Sequence, residues 1–541
     1  MANAPSRSGN LGGLTQRGGQ QPGQGQGKGQ GQGKGEGRGE ALGKRLDERK
    51  ALEKAKNKQA EQGEGPRQSG DDYARIVENP FIQVADQPLS TFSIDVDTAS
   101  YANTRRYLMQ HNQLPPPDAV RIEEMINYFS YDYPGPKNDD EPFAASTEVS
   151  LCPWNPQHKL VRVGLKGYEI ENDQRPSSNI VFLLDVSGSM NQPTTLPLVK
   201  KSLELMVDYL TENDRVAIVV YAGASGLVLP STAGDDKKPI IDSLERLRAG
   251  GSTNGGAGIQ LAYQIATDNF IQGGTNRVVL CTDGDFNVGA TSQGALHRMI
   301  EEKAKSKVFL TVLGFGDGNL KDSTMELLAD KGNGNYGYID SLREARKLLV
   351  EEIGGTLVAI AKDVKIQIEF NPKHVGAYRL IGYENRILAA RDFNDDKKDA
   401  GEIGAGHTVT ALYEVISPAE ELKQGDVDAL EFQQPKRLTK AADSETLLIL
   451  KLRYKQPEGD VSKLLKFPIK NSVKKFNDSS LDFQFAGAVA SFGMMLRNSA
   501  HRGESNYDLI LETAGPCVDA GPAGQQGYRA EFLEMVKKAK T

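Results

Sequence analysis

One aspartate and two serines at alternate positions, Asp185-Val186-Ser187-Gly188-Ser189, follow directly on the apolar run Asn179-Ile180-Val181-Phe182-Leu183-Leu184. Such a run reads as a strand buried on both faces, and the Gly-punctuated loop after it presents oxygen-bearing side chains at the strand's tip. A hard divalent cation such as Mg2+ takes oxygen ligands in near-octahedral geometry and keeps part of its water. Ser187 and Ser189 can put two hydroxyls on one side of such an ion, while Asp185 supplies charge directly or through water. Asp, Ser and Gly also form ordinary turns, so this stretch alone leaves both readings open.

Two further segments break from a regular element into a polar tip in the same way. Gly250-Gly251-Ser252-Thr253-Asn254-Gly255-Gly256 offers a Thr hydroxyl on a glycine-rich loop ahead of a helix. Arg277-Val278-Val279-Leu280-Cys281-Thr282-Asp283-Gly284-Asp285 is again a β-branched run closing on Asp-Gly. Together the three loops closely resemble the von Willebrand factor type A domain, whose metal ion-dependent adhesion site uses Asp-x-Ser-x-Ser, a Thr and an Asp. Carried over position by position, the resemblance implies Asp185, Ser187, Ser189, Thr253 and Asp283 as ligands of Mg2+, with Mn2+ or Ca2+ as alternatives. Asn254 and Asp285 are read as groups around that shell which orient water or hydroxyls.

The elements that must position these tips alternate between strand and helix over residues 177–355. Strands are expected over 180–184, 215–221, 226–229, 277–281, 307–315 and 335–339. Helices are expected over 195–210, 238–248, 257–270, 293–305, 322–331 and 341–352. Alternation of this kind predicts an α/β fold with a doubly wound, mostly parallel sheet. Ligands then sit beyond the carboxyl ends of the strands, where strand order reverses. Asp185 and Asp283 both close strands at that end, so the metal and the fold readings agree.

The rest of the chain frames this region. Residues 1–72 read as a Gly/Gln-rich and then charged tail that buries too little apolar surface to order, with a charged helix around 41–62. Residues 73–140 carry extended pieces and two helices, over 99–112 and 121–129. Asp95 and Asp97 close an extended piece there, and capping of the following helix is expected over a cation site. A β-hairpin over 141–176 is expected to belong to a β-rich domain that resumes over 356–475. The charged loop 392–406 within that domain reads as a turn in preference to a calcium loop. Helices over 481–498, apolar on one face, and 527–540 close the chain in a segment spanning 476–541.

The flanks carry a resemblance of their own. Phe92-Ser93-Ile94-Asp95-Val96-Asp97-Thr98-Ala99-Ser100-Tyr101, Arg121-Ile122-Glu123-Glu124 and Gly527-Tyr528-Arg529-Ala530-Glu531-Phe532 are similar to bacterial YfbK-like proteins. That family joins an N-terminal von Willebrand-associated region, the A domain and a C-terminal domain of unknown function, and the similarity spans about residues 75–541. It implies a place in the cell envelope or periplasm, whereas Met1-Ala2-Asn3-Ala4-Pro5-Ser6-Arg7 lacks the apolar core of a secretory signal.

A net charge of -7 over 541 residues gives no electrostatic ground for nucleic acid as a partner. Cys152, Cys281 and Cys517 are too few and too scattered for a disulfide framework or a zinc site. No apolar window is long enough to span a membrane. Three functions fit these residues. The first is a non-enzymatic module whose metal accepts an exposed Asp or Glu of a partner protein. A metal-assisted hydrolase would need a base, and His297, the single histidine in the central region, falls within an expected helix away from the tips. In the third, the metal only staples the loops and the β-rich domain makes the contacts.

Overall fold

In the computed structural model the run 179–184 becomes the middle of a six-stranded sheet. Residues 71–541 are described apart from 95–96, 138–140, 171–173, 223–224, 252–254, 285–292, 319, 353–357, 399, 419–437, 458 and 523. The sheet runs in the order Tyr336–Tyr338, Phe309–Gly314, Thr275–Thr282, Ser178–Asp185, Arg215–Tyr221, Ser225–Ala233. All neighbours are parallel except the last pair. Every residue of Ser178–Asp185 is buried, because helices cover both faces. Ile180, Phe182 and Leu184 pack with Val199 and Leu203 of the helix Leu196–Val207. Val181 and Leu183 point the other way, onto Ile259 and Ala262 of the helix Gly255–Asp268. From the central strand the chain turns first to Arg215–Tyr221 and then returns to the opposite side at Thr275–Thr282. That reversal makes the doubly wound α/β sheet read from the sequence, and it leaves a crevice at the tips of these two strands.

Segments on either side of the central sheet in sequence share one sandwich. The hairpin Phe143–Cys152 and Asn155–Gly167 pairs through its second strand with Thr408–Ile416, which pairs with Ala377–Ile381, and that strand pairs in turn with Ile82–Gln83 at the edge. A second antiparallel sheet places Ala359–Phe370 between Leu89–Ser93 and Thr446–Lys455, with Lys463–Lys470 at its edge. Val163, Leu165 and Tyr413 of one sheet face Ile366, Ile368 and Leu450 of the other. The reverse face of the first sheet, through Leu160 and Leu412, packs on the helix Leu481–Leu496.

Several expectations are corrected. Leu481–Leu496 is buried on every side and not on one face, with only Leu481 and Met495 reaching the surface. Small residues permit this: Gly487 and Gly493 lie so close to Phe476 and Ile122 that a Cβ would sit 2.6 and 2.9 Å from them. Asp97 does not cap the helix Ala99–Arg105, whose cap position Thr98 makes no side-chain bond. Its carboxylate accepts the Tyr336 N–H at 2.7 Å and meets Arg386 at 3.3 Å, while Asp95 lies outside the described residues. The helix over 99–112 is α-helical only to Arg105 and then widens into a π-turn, Arg106–Gln110. The edge strand Lys463–Lys470 escaped the sequence pattern because Pro468 interrupts its alternation; proline is tolerated at an edge. The short helix Tyr507–Ala514, capped by Asn506 onto the Leu509 N–H, was also missed. The loop after residue 391 is a turn tied by Asp396 to Ser462 at 2.6 Å and Arg453 at 3.3 Å. The expected tail over 1–72 lies outside the described residues as far as 70, its charged helix included, whereas Asp71 accepts from Arg106 at 2.6 Å and the Asp72 N–H donates to the Leu320 carbonyl at 2.8 Å, so these two residues, ahead of the expected boundary, belong to the fold.

Candidate metal centre

Strand register assembles the surroundings of Asp185. Parallel pairing sets Asp185 beside Tyr221, the last residue of the neighbouring strand. On the other side Leu184 pairs with Cys281, which brings Thr282 alongside Asp185. The Tyr221 phenol donates to Asp185 Oδ2 at 3.0 Å, and the Thr282 hydroxyl stands 3.5 Å from the same oxygen. The Ser187 N–H donates to Oδ1 at 2.8 Å. Asp185 is wholly buried. Burial pushes its carboxyl up to about 6, the nearby charge of Asp283 adds to the rise, and the bonds from Ser187 and Tyr221 oppose it.

The serine loop leaves the strand through an extended Ser187 and closes into a short turn, Gly188–Asn191. Within it Ser187 Oγ and Ser189 Oγ are 3.0 Å apart. Backbone bonds pin the loop on two sides. Val186 N–H donates to the Tyr221 carbonyl at 3.0 Å, and Gly188 N–H to that of Gly251 at 3.1 Å. Gly250 N–H returns a bond to the Val186 carbonyl at 2.7 Å. Gly251, at φ 89°, takes a left-handed turn that favours glycine. The glycine-rich loop is therefore stitched to the serine loop just before Thr253, although Thr253, Asn254 and Asp285 themselves lie outside the described residues. Asp283, half-buried, follows the strand Thr275–Thr282. Behind it stands Gly316, at φ +88°, where a Cβ would come 2.8 Å from Thr195 Cγ2 and 3.5 Å from Asp283 Cβ.

Of the residues singled out from the sequence, Asp185, Ser187 and Ser189 meet in one loop, with Asp283 at the tip of the adjacent strand and close enough to act on Asp185. Tyr221 and Thr282 were missed. The available signal was that Tyr221 closes an apolar strand just as Asp185 does. His297 is half-buried on the helix Gln293–Ala304; burial, and then Lys331, hold its imidazole below the usual range.

A second group of acids lies elsewhere. Carboxylate oxygens of Asp97, Glu124 and Glu326 fall within 4.8 Å of one another, all buried. Arginines run through this group: Arg121 binds Glu124 at 3.1 Å and also Glu326, and Arg386 binds Glu326 at 3.2 Å and Asp97 at 3.3 Å. Its oxygens are thus met by guanidinium donors, which makes it an ion-pair knot.

Known proteins are similar to this chain. Residues 179–351 match the model of the von Willebrand factor type A domain, and residues 67–162 match the one described as von Willebrand factor. Residues 355–541 match that of the uncharacterized protein YfbK, C-terminal. The uncharacterized protein YfbK of Escherichia coli (strain K12) is 44% identical over 473 residues, which cover 86% of this chain and 80% of that protein. The chain belongs to the YfbK family. The uncharacterized protein sll0103 of Synechocystis is 27% identical over 188 residues, 35% of this chain and 43% of its own. Among solved structures, a von Willebrand factor type A protein from Catenulispora acidiphila is similar over 75% of this chain and 97% of its own, at TM-score 0.41 and 16% identity. The ArnB paralog VWA2 of Sulfolobus acidocaldarius is similar over 74% and 98%, at TM-score 0.34 and 14% identity. The type A domain of this YfbK-family chain is of a kind generally involved in protein interactions and often dependent on a divalent metal. Among the described residues no helix is long and apolar enough to cross a membrane.

Proposed function

We propose that this YfbK-family chain is a metal-dependent protein-binding module for adhesion or assembly. Asp185, Ser187, Ser189, Thr253 and Asp283 would hold Mg2+, and an exposed Asp or Glu of a partner protein would complete the shell. The observation that carries this reading is the 3.0 Å spacing of Ser187 Oγ and Ser189 Oγ beside the buried Asp185. Adjacent oxygens of a six-coordinate shell stand about 2.9 Å apart for the metal–oxygen distances of Mg2+, and about 3.3–3.6 Å apart for those of Ca2+. The two hydroxyls hydrogen-bond to each other at this spacing, and the same spacing would let them occupy one edge of the smaller shell.

Bound there, the cation would supply a coordination position open to a carboxylate oxygen. The serine hydroxyls are neutral and the two aspartates need not both touch the ion, so its positive charge would stay incompletely neutralised and an anion would be the favoured remaining ligand. Asp185 is held by its neighbours with one face toward the serine loop, and the stitched loops keep the hydroxyl pair from collapsing apart. The module acts by binding and not by catalysis. Titration calorimetry of Mg2+ and Mn2+ into metal-stripped protein and into Asp283→Ala tests it. One-site binding that the variant loses is the expected result. Absence of binding in the unaltered chain, with and without an acidic peptide, would end the metal reading.

A further inference from the structure

We infer that Tyr221 is a positioning residue that sets the ion preference of this centre, holding Asp185 so that Mg2+ is favoured over Ca2+. The inference rests on the metal reading above and adds to it a residue that no ligand motif contains. A carboxylate oxygen has about two acceptor positions. On Asp185, Oδ2 faces two hydroxyls, Tyr221 at 3.0 Å and Thr282 at 3.5 Å, and Oδ1 already accepts the Ser187 N–H at 2.8 Å. The Ser187 hydroxyl bonds the same carboxylate, so Asp185 turns Oδ2 to the tyrosine and Oδ1 to the serine loop. Asp185 can therefore reach an ion, or a water bound to it, through a single oxygen. A bidentate carboxylate is a common ligand of Ca2+, with its shells of about 6–8 oxygens, while Mg2+ demands a compact octahedron. Occupying Oδ2 closes the first option.

The tyrosine is well placed to hold this arrangement. Its ring is fully buried, and parallel register keeps it beside Asp185. Above it, Gly258 of the helix Gly255–Asp268 comes so close that a Cβ there would lie 2.8 Å from Tyr221 Cβ.

Tyr221→Phe keeps the ring and removes the donor. Calorimetric titration of Mg2+ and of Ca2+ into the metal-stripped full chain, unaltered and Tyr221→Phe, gives two dissociation constants for each protein. The expected result is a relative gain for Ca2+ of about tenfold, the factor for one lost hydrogen bond to a charged group. A loss of affinity that is equal for the two ions is what a merely structural tyrosine would produce, and it overturns the inference. So does an unchanged ratio in a variant of unchanged melting temperature. Should Tyr221→Phe fail to fold, Thr282→Val decides: a smaller shift toward Ca2+ is expected, and none overturns the inference. An unaltered chain that binds neither ion removes the metal reading itself, an outcome distinct from binding with an unmoved ratio.

Discussion

Asp185 and the trio Asp97, Glu124 and Glu326 are all buried acids, yet they are answered by different chemistry. The trio is threaded by Arg121 and Arg386, guanidinium groups that remain charged at any ordinary pH. Asp185 takes its hydrogen bonds from a backbone N–H and from hydroxyls, whose dipoles do not cancel its charge. A buried carboxylate met by a fixed cation becomes a strut, and here the strut ties residues 97–124 to the helix Asp322–Lys331 and to Arg386. One met only by dipoles retains a demand for positive charge, which an exchangeable ion can meet. The difference teaches that the donors around buried acids, and not their clustering alone, decide whether positive charge is already supplied.

The comparison is broken most forcefully at Arg121. Arg121→Met strands Glu124, Asp322 and Glu326 without their shared guanidinium, and a loss of about 3–5 kcal/mol in denaturant unfolding is expected, with metal binding retained. An unmoved midpoint would deny the knot its role as a strut. Gly258→Ala forces a methyl against Tyr221 at 2.8 Å and should cost about 1–3 kcal/mol by overpacking, read from the same unfolding curves. Ser189→Ala should weaken Mg2+ by at least about tenfold, since even partners outside the metal shell are worth about 10–100-fold, while stability changes little. Titration calorimetry paired with a melting curve separates the two effects.

A further effect is one of pH. Burial pushes the Glu124 carboxyl to about 8, with Arg121 opposing. A glutamate in an unfolded chain titrates near about 4.3, so between these values the folded protein keeps a proton that the unfolded chain has released. Stability from this group is complete below the lower value and is lost as pH rises through the upper one, at most about 1.4 kcal/mol per pH unit. Glu124→Gln should flatten the fall in unfolding free energy between pH 6 and 8. An identical slope in the variant would show that the proton resides elsewhere in the knot.

Local signals in the chain carried much of this. The apolar run before Asp185, the alternate serines and the glycine loop before Thr253 are contiguous, so their chemistry was readable from spacing. Strand and helix alternation likewise foretold the doubly wound sheet, because burial on both faces writes itself into composition. Asp97 was misjudged because its position just before a helix fits a cap, whereas its partners Tyr336 and Arg386 lie more than two hundred residues away. Lys463–Lys470 was missed for the converse reason: an edge strand faces weaker demands on pattern, and Pro468 hid it.

By itself the sequence determined which strand tips carry oxygen-bearing side chains and which segments form the sheet beneath them, since both follow from short-range periodicity and side-chain chemistry. Only the tertiary structure decided that Tyr221 and Thr282 flank Asp185, that the two sheets of one sandwich draw on both ends of the chain, and that one acidic group is threaded by arginines. Those facts depend on strand register and on the packing of distant segments, and neither leaves a local trace in the order of residues.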